Sequence, residues 1–251
     1  MSQNYLSAKR LLECRLRTTD GAWATLQDLI IVTGVWEVGF LAAEVEGWVP
    51  DRQVLLLPAD VAGVDSARGE IELALDAPAL RASPTLAAGP DLSSLDADMA
   101  PPGGWRDQWA ADADPEGTGQ TPPLAPDPVE PRALDLAEGA EVIRADTLRG
   151  YAVETPDGDK LHILDLLVDD ADWSIALVEL AMKAEGERRA AGRAEQTARC
   201  LVARGDLDWL DRSSQKLHIA VWADELRSAP LIPHPAATGG GAKVRMLADR
   251  S

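Results

Sequence analysis

Two short stretches of the chain alternate between apolar and outward-type residues. In one, Ile71, Leu73 and Leu75 alternate with Glu70, Glu72 and Ala74; in the other, Leu217, Ile219 and Val221 alternate with His218, Ala220 and Trp222. A period of two puts one set on a buried face and the other toward solvent, as in a half-buried β-strand. The two stretches lie 146 residues apart and belong to a longer match, in which Leu55, Asp60, Asp65, Leu80, Arg81 and Pro84 meet Leu201, Asp206, Asp211, Leu226, Arg227 and Pro230. A second match, offset by 137, sets Asp20, Gly21, Asp28, Leu29 and Trp36 on Asp157, Gly158, Asp165, Leu166 and Trp173 without a gap. The nine-residue difference is one insertion, between Val38 and Val54 in the first copy and between Ile175 and Cys200 in the second. One supersecondary unit is written twice, and two copies of about eighty residues predict a tandem pair of small domains.

Turn chemistry supplies the connections. Thr19-Asp20-Gly21 and Pro156-Asp157-Gly158 predict Asp-Gly hairpins in which the glycine takes φ above zero. Asp65 to Gly69 and Asp211 to Ser214 predict a second turn, and Ala77 to Ser83 and Ala223 to Ala229 short helical turns stopped by Pro84 and Pro230. Each copy reads as several antiparallel strands and one terminal helical turn. Such a mainly β unit closes most simply into a small barrel.

Between the copies the composition changes. Residues 85–140 hold nine of the 17 prolines and eleven acidic residues against Arg106 and Arg132. No core can be built from this, so a long Pro/Asp-rich linker is predicted, with a reach of about 40 Å if flexible. That reach lets two domains engage separate sites on one large partner. The predicted organisation is a barrel-like domain over 1–84, the linker over 85–140, a second domain over 141–232 and a mobile tail over 233–251.

Charge and cysteine usage narrow the function classes. A formal charge of −18 and a pI near 4.5 repel phosphate backbones, so no direct nucleic-acid contact is expected. Cys14 and Cys200 occupy non-equivalent positions and lack a CxxC pattern, which predicts two reduced thiols rather than a disulfide. The first residues lack the apolar core of a signal peptide, and no run of eighteen apolar residues occurs. A cytoplasmic protein is expected, without a transmembrane segment.

The order of features resembles a known family. An Asp-Gly turn is followed by a strand ending in Asp28-Leu29 or Asp165-Leu166, a Trp-led strand and an apolar strand over Val54 to Leu57 or Cys200 to Ala203. An Asp-containing turn, the alternating strand and a helix ending in proline complete the copy. This order resembles the PRC-barrel over about 12–84 and 142–231. The family includes the cytoplasmic domain of the H subunit of bacterial photosynthetic reaction centres and the C-terminal domain of RimM-type ribosome-maturation factors. The resemblance implies two small PRC-type β-barrels and a scaffold role without catalysis. It departs from the H subunit in lacking an N-terminal transmembrane helix, and from RimM in having a second PRC-like copy.

Candidate chemistry is sparse. His162, His218 and His234 have no converging ligands in the sequence, so no metal is assigned and surface or edge histidines are expected. Asp28 and Asp165 lie in apolar strands of different copies, where carboxylates accepting backbone N–H bonds are expected rather than an acid/base pair. Trp36 and Trp173 open equivalent strands and are expected in the core. No Ser/His/Asp set, phosphate loop or dinucleotide fingerprint accompanies them, so neither an enzyme nor a cofactor is expected.

Partner-binding candidates come from outside the repeat. Trp105 and Trp109, four residues apart beside Arg106 in the linker, share one side of a helical turn and must pack on a barrel of the same chain or on a partner groove. Arg188, Arg189 and Arg193 lie in the insertion of the second copy, as a basic arm toward an acidic surface or anionic headgroups, or as a solvated loop pairing its own glutamates. Lys9, Arg10, Arg15 and Arg17 make a smaller basic start. The expected function is an accessory subunit docking by protein contacts on the cytoplasmic face of a bacterial photosynthetic reaction-centre complex, at the inner membrane. The alternatives are a RimM-like ribosome-assembly factor holding a basic ribosomal protein and a free-standing stress-related barrel protein.

Overall fold

The computed structural model describes residues 4–45, 52–81, 83–87, 141–183, 197–236 and 243–247. In chain order the elements of the first copy are β1 (Tyr5–Ser7), α1 (Ala8–Leu11), β2 (Arg15–Arg17), β3 (Trp23–Val32), β4 (Glu37–Val45), β5 (Arg52–Leu56), β6 (Val61–Asp65), β7 (Glu70–Leu73), α2 (Ala77–Arg81) and β8 (Thr85–Ala87). The second copy repeats them as β9 (Val142–Arg144), α3 (Ala145–Arg149), β10 (Ala152–Glu154), β11 (Lys160–Asp169), β12 (Ile175–Lys183), β13 (Thr197–Ala203), β14 (Leu207–Asp211), β15 (Lys216–Ile219), α4 (Ala223–Ser228) and β16 (Leu231–Pro233), followed by β17 (Lys243–Met246). The fold is mainly β, and no described helix is long and apolar enough to cross a membrane.

The chain forms two compact units whose limits depart from the expected boundaries. One, here the first-copy unit, comprises Leu12–Gly34 and Gly39–Ile143; the other, the second-copy unit, comprises Met1–Leu11, Val35–Val38 and Arg144–Ser251. The opening eleven residues, expected with domain 1–84, therefore belong with the second copy. Conversely, Val142 and Ile143, expected to start the second domain, belong with the first. Backbone hydrogen bonding gives the reason. The three-residue β10 covers only Lys160 to His162 of the ten-residue β11, and β1 completes the same edge at Leu167 to Asp169. In the first-copy unit β2 likewise covers Trp23 to Thr25 of β3, and β9 pairs with that strand as well. A long strand left half-bare would expose a row of unpaired backbone groups, and the lead segment of the opposite copy covers it.

Each sheet follows one path. The first runs β6-β7-β2-β3-β4-β5-β8 and the second β14-β15-β10-β11-β12-β13-β17-β16, so no pairing among the described residues joins the two ends of either. The expectation of purely antiparallel strands is corrected at three ladders, since β2 with β7, β10 with β15, and β13 with β17 are parallel. The tail is corrected too: expected to be mobile, it supplies β17, which stands between β13 and β16. Val244 there is fully buried with Leu167, Leu177 and Leu201. In the first copy β8, inside the expected linker, pairs directly with β5.

The alternation read from the sequence sets the core. Leu16, Ile71 and Leu80 in one unit and Val153, Leu217 and Leu226 in the other are buried at equivalent places. Each such side chain contributes about 1.5–3 kcal/mol relative to remaining in water. Gly21 and Gly158 take φ of +86° and +83°, as the Asp-Gly hairpins require. The adjacent carboxylates do a second job: Asp20 accepts a bond from the Ala77 amide and Asp157 from the Ala223 amide, so each hairpin caps the helical turn of its own copy.

Candidate functional site

In both units the short parallel pair presents an outward face that combines charge with an indole. In the first-copy unit Arg15 and Arg17 on β2 stand opposite Glu70 and Glu72 on β7, while Trp23 lies on β3. The guanidinium carbon of Arg15 sits 4.6 Å from the Trp23 ring centroid and that of Arg17 5.9 Å away, both within cation–π range. The expected basic start is therefore divided. Arg15 and Arg17 face glutamates and an aromatic ring, whereas Lys9 and Arg10 lie on α1 in the second-copy unit.

The second-copy unit builds the same face with other residues. Lys216 and His218 point outward from β15 between buried Leu217 and Ile219. The Lys216 ammonium meets the Glu154 carboxylate at 2.6 Å, and this bond is the main cause holding Glu154 below the usual carboxylate range. Trp209 on β14 is directly opposite His218, and the rings stack with centroids 3.9 Å apart and planes 5° from parallel. One indole face is covered and the other is open, leaving Trp209 51% exposed. Outward alternation continues past β15 to Trp222, 52% exposed, whose amide is held by the Glu225 carboxylate at the start of α4. Asp208 and Asp224 beside them are exposed.

These indoles are specific to the second copy. Gly63 and Asp76 occupy the positions of Trp209 and Trp222 in the first. A half-exposed Trp fixed by ring stacking or by a helix start offers a large rigid apolar surface at little entropic cost, the character of an interface anchor. The sequence signal was present: Trp222 sits in a polar slot of an alternating run, where a core residue does not belong.

The other candidates resolve individually. Asp165 is buried and accepts bonds from the Lys9 amide at 3.0 Å, its neighbour Leu166 at 2.8 Å and the Ser7 hydroxyl. Asp28 accepts from the Leu29 amide at 2.8 Å. Both carboxylates bind backbone, as expected. Trp36 and Trp173 are buried, though they lie in the turns before β4 and β12, with φ of 54° and 60°, rather than as first strand residues. His162 is exposed on β11, and His218 stacks on Trp209.

His234 is nearly buried, with Nε2 3.4 Å from Glu179, a carboxylate only 1% exposed that also meets Arg199 Nε at 2.6 Å. Ala42 fills the Glu179 position in the first copy, so this ion group is local to the second. There it ties the chain after β16 to β12 and β13. Buried Cys200 lies nearby, its thiol pushed up to about 12 by burial and then by the Glu179 charge. Among the described residues no group of three or more His, Cys, Asp or Glu side chains is placed to hold a metal ion. Trp105, Arg106, Trp109, Arg188, Arg189 and Arg193 lie outside the described residues.

No protein-family model matches the chain, and no curated protein matches its sequence.

Proposed function

We propose that this protein is a non-enzymatic accessory subunit that docks by protein contacts on a larger assembly, through the outward face of its second copy. The carrying observation is the pair of half-exposed indoles, Trp209 and Trp222, held on a strand-built unit where the first copy has Gly63 and Asp76. A formal charge of −18, with Asp208 and Asp224 exposed next to the indoles, makes a basic protein surface the complementary partner.

The assembly we propose is the cytoplasmic face of a bacterial photosynthetic reaction-centre complex, with each copy a PRC-type barrel. Support comes from the resemblance of the doubled Asp-Gly, Asp-Leu, Trp and helix-Pro order to the H-subunit cytoplasmic domain, together with the mainly β units built from it. Co-sedimentation of the purified full chain with reaction-centre membranes, measured beside co-sedimentation with small ribosomal subunits, tests the proposal. Pelleting with the membranes at low salt and release at high salt is the expected result. Pelleting with ribosomal subunits alone transfers the protein to ribosome assembly.

A further inference from the structure

The 137-residue offset that aligns the two copies also aligns their hydrogen bonds across the chain. The Trp36 carbonyl accepts from the Ile175 amide at 2.7 Å, and the Trp173 carbonyl accepts from the Val38 amide at 2.9 Å. Since Trp36 corresponds to Trp173 and Val38 to Ile175, each bond is the image of the other. Glu37 and Ser174, also equivalent, form the antiparallel bridge between them. The lead segments behave alike. The Asn4 carbonyl accepts from the Asp170 amide at 3.2 Å and the Glu141 carbonyl from Thr33 at 2.9 Å, again an equivalent pair. β1 pairs with β11 and β9 with β3.

Equivalent residues thus make equivalent bonds, and the lead segment of each copy lies in the unit built mainly from the other, a reciprocal pattern. Two domains joined by chance in one chain have no reason to satisfy it. We propose that the repeat is a dimer-forming module: the lead segment of each copy (Asn4–Leu11; Glu141–Leu148) recognises the long hairpin strand of a second copy. The chain is then a covalently fused pair whose halves recognise each other in trans. The recognition is chiefly main-chain, which explains its survival although Ser7 faces Arg144 and Tyr5 faces Val142 in the alignment. Side chains add to it: Asp165 holds both the Ser7 hydroxyl and the Lys9 amide, Asn4 donates to the Asp170 carboxylate at 2.8 Å, and the Thr33 hydroxyl donates to the Glu141 carbonyl at 3.0 Å. Only Leu12 to Cys14 separate α1 from β2, a hinge too short to let the lead segment turn back easily onto its own copy.

The test uses the full chain carrying a protease recognition site inserted within residues 85–140. After cleavage the halves are expected to co-elute at the size of the uncut protein. In the same background, Tyr5→Cys with Asp169→Cys, direct partners in the β1·β11 ladder, is expected to link the two cut halves covalently on oxidation. The equivalent position in the first copy is Val32, which lies in the same cut half as Tyr5, and Tyr5→Cys with Val32→Cys is expected to keep both introduced thiols free after oxidation, as thiol titration in denaturant reads. Elution as two half-size species overturns the proposal. Co-elution without the Tyr5–Asp169 cross-link, or cross-linking at Val32 instead, overturns it equally.

Discussion

The carbonyl of Trp36 accepts the amide of Ile175 at 2.7 Å while Trp36 itself holds a left-handed backbone, φ 54°. A bulky side chain rarely adopts that conformation, and each such residue costs about 1–2 kcal/mol. The burial of the indole offsets it. Trp36→Ala loses the ring and keeps the strained backbone, so it is expected to destabilise by about 3–5 kcal/mol. Trp36→Gly loses the same ring but frees the backbone, and is expected to be more stable than the alanine variant by about 1 kcal/mol. Urea unfolding of both variants checks the order, which inverts the usual ranking of the two residues.

Asp165 is predicted to hold the lead segment in place. Its removal strips the Ser7 hydroxyl, the Lys9 amide and the Leu166 amide of their acceptor. Asp165→Ala is expected to cost about 2–4 kcal/mol, given three bonds to one charged group in a buried site. Hydrogen exchange at Lys9 should rise well before exchange in the β14·β15 ladder does. Uniform acceleration throughout the chain would deny the carboxylate this local role.

Part of the acid sensitivity should trace to the two hairpin carboxylates, alongside Glu154, Asp172 and Asp211, which are also held below the carboxylate range. Asp20 is held below its ordinary value first by the Thr18 hydroxyl and Asp157 by that of Thr155, with the Ala77 and Ala223 amides adding to each. Because the folded value lies below the unfolded one, the stabilisation is present above the ordinary carboxylate range and is lost as pH falls through the folded value. Thr18→Val with Thr155→Val is expected to flatten the stability profile below about pH 4. Denaturation midpoints measured from neutral to strongly acidic pH would show it.

How much of this was legible from residues alone differs by element. Period-two runs around Ile71 and Leu217 identified the buried faces, and the repeated Asp-Gly pairs located both hairpins. Those signals are local, and local backbone preference answers to them. The crossing of the lead segments was not legible, because Tyr5 to Leu11 carries the same pattern whichever copy it pairs with. β17 was missed for a similar reason: Lys243 to Met246 is too short to declare a strand until the gap beside β13 is known. Trp209 is a third case. Its outward position is visible only once its cross-strand neighbour, His218, is fixed by the register.

The native thiols should be inert. Burial raises Cys14 and pushes Cys200 up to about 12. Iodoacetamide at neutral pH is expected to spare both in the folded protein and label both in denaturant. The raised value also has a sign in stability. The unfolded thiol ionises from its ordinary 9.0 upward while the folded one stays neutral, so stability declines as pH climbs from 9.0 toward 12. Rapid native labelling of Cys200 would contradict its burial against β12.

The docking claim is met most directly by the affinity of the full chain for purified reaction-centre complexes, compared between the native sequence and Trp209→Ala with Trp222→Ala. Both indoles are half-exposed, so their loss should leave the melting temperature within a few degrees of the native value. Binding should weaken by roughly tenfold or more. Undiminished binding of a folded double variant, or no binding by the native chain, would contradict the account.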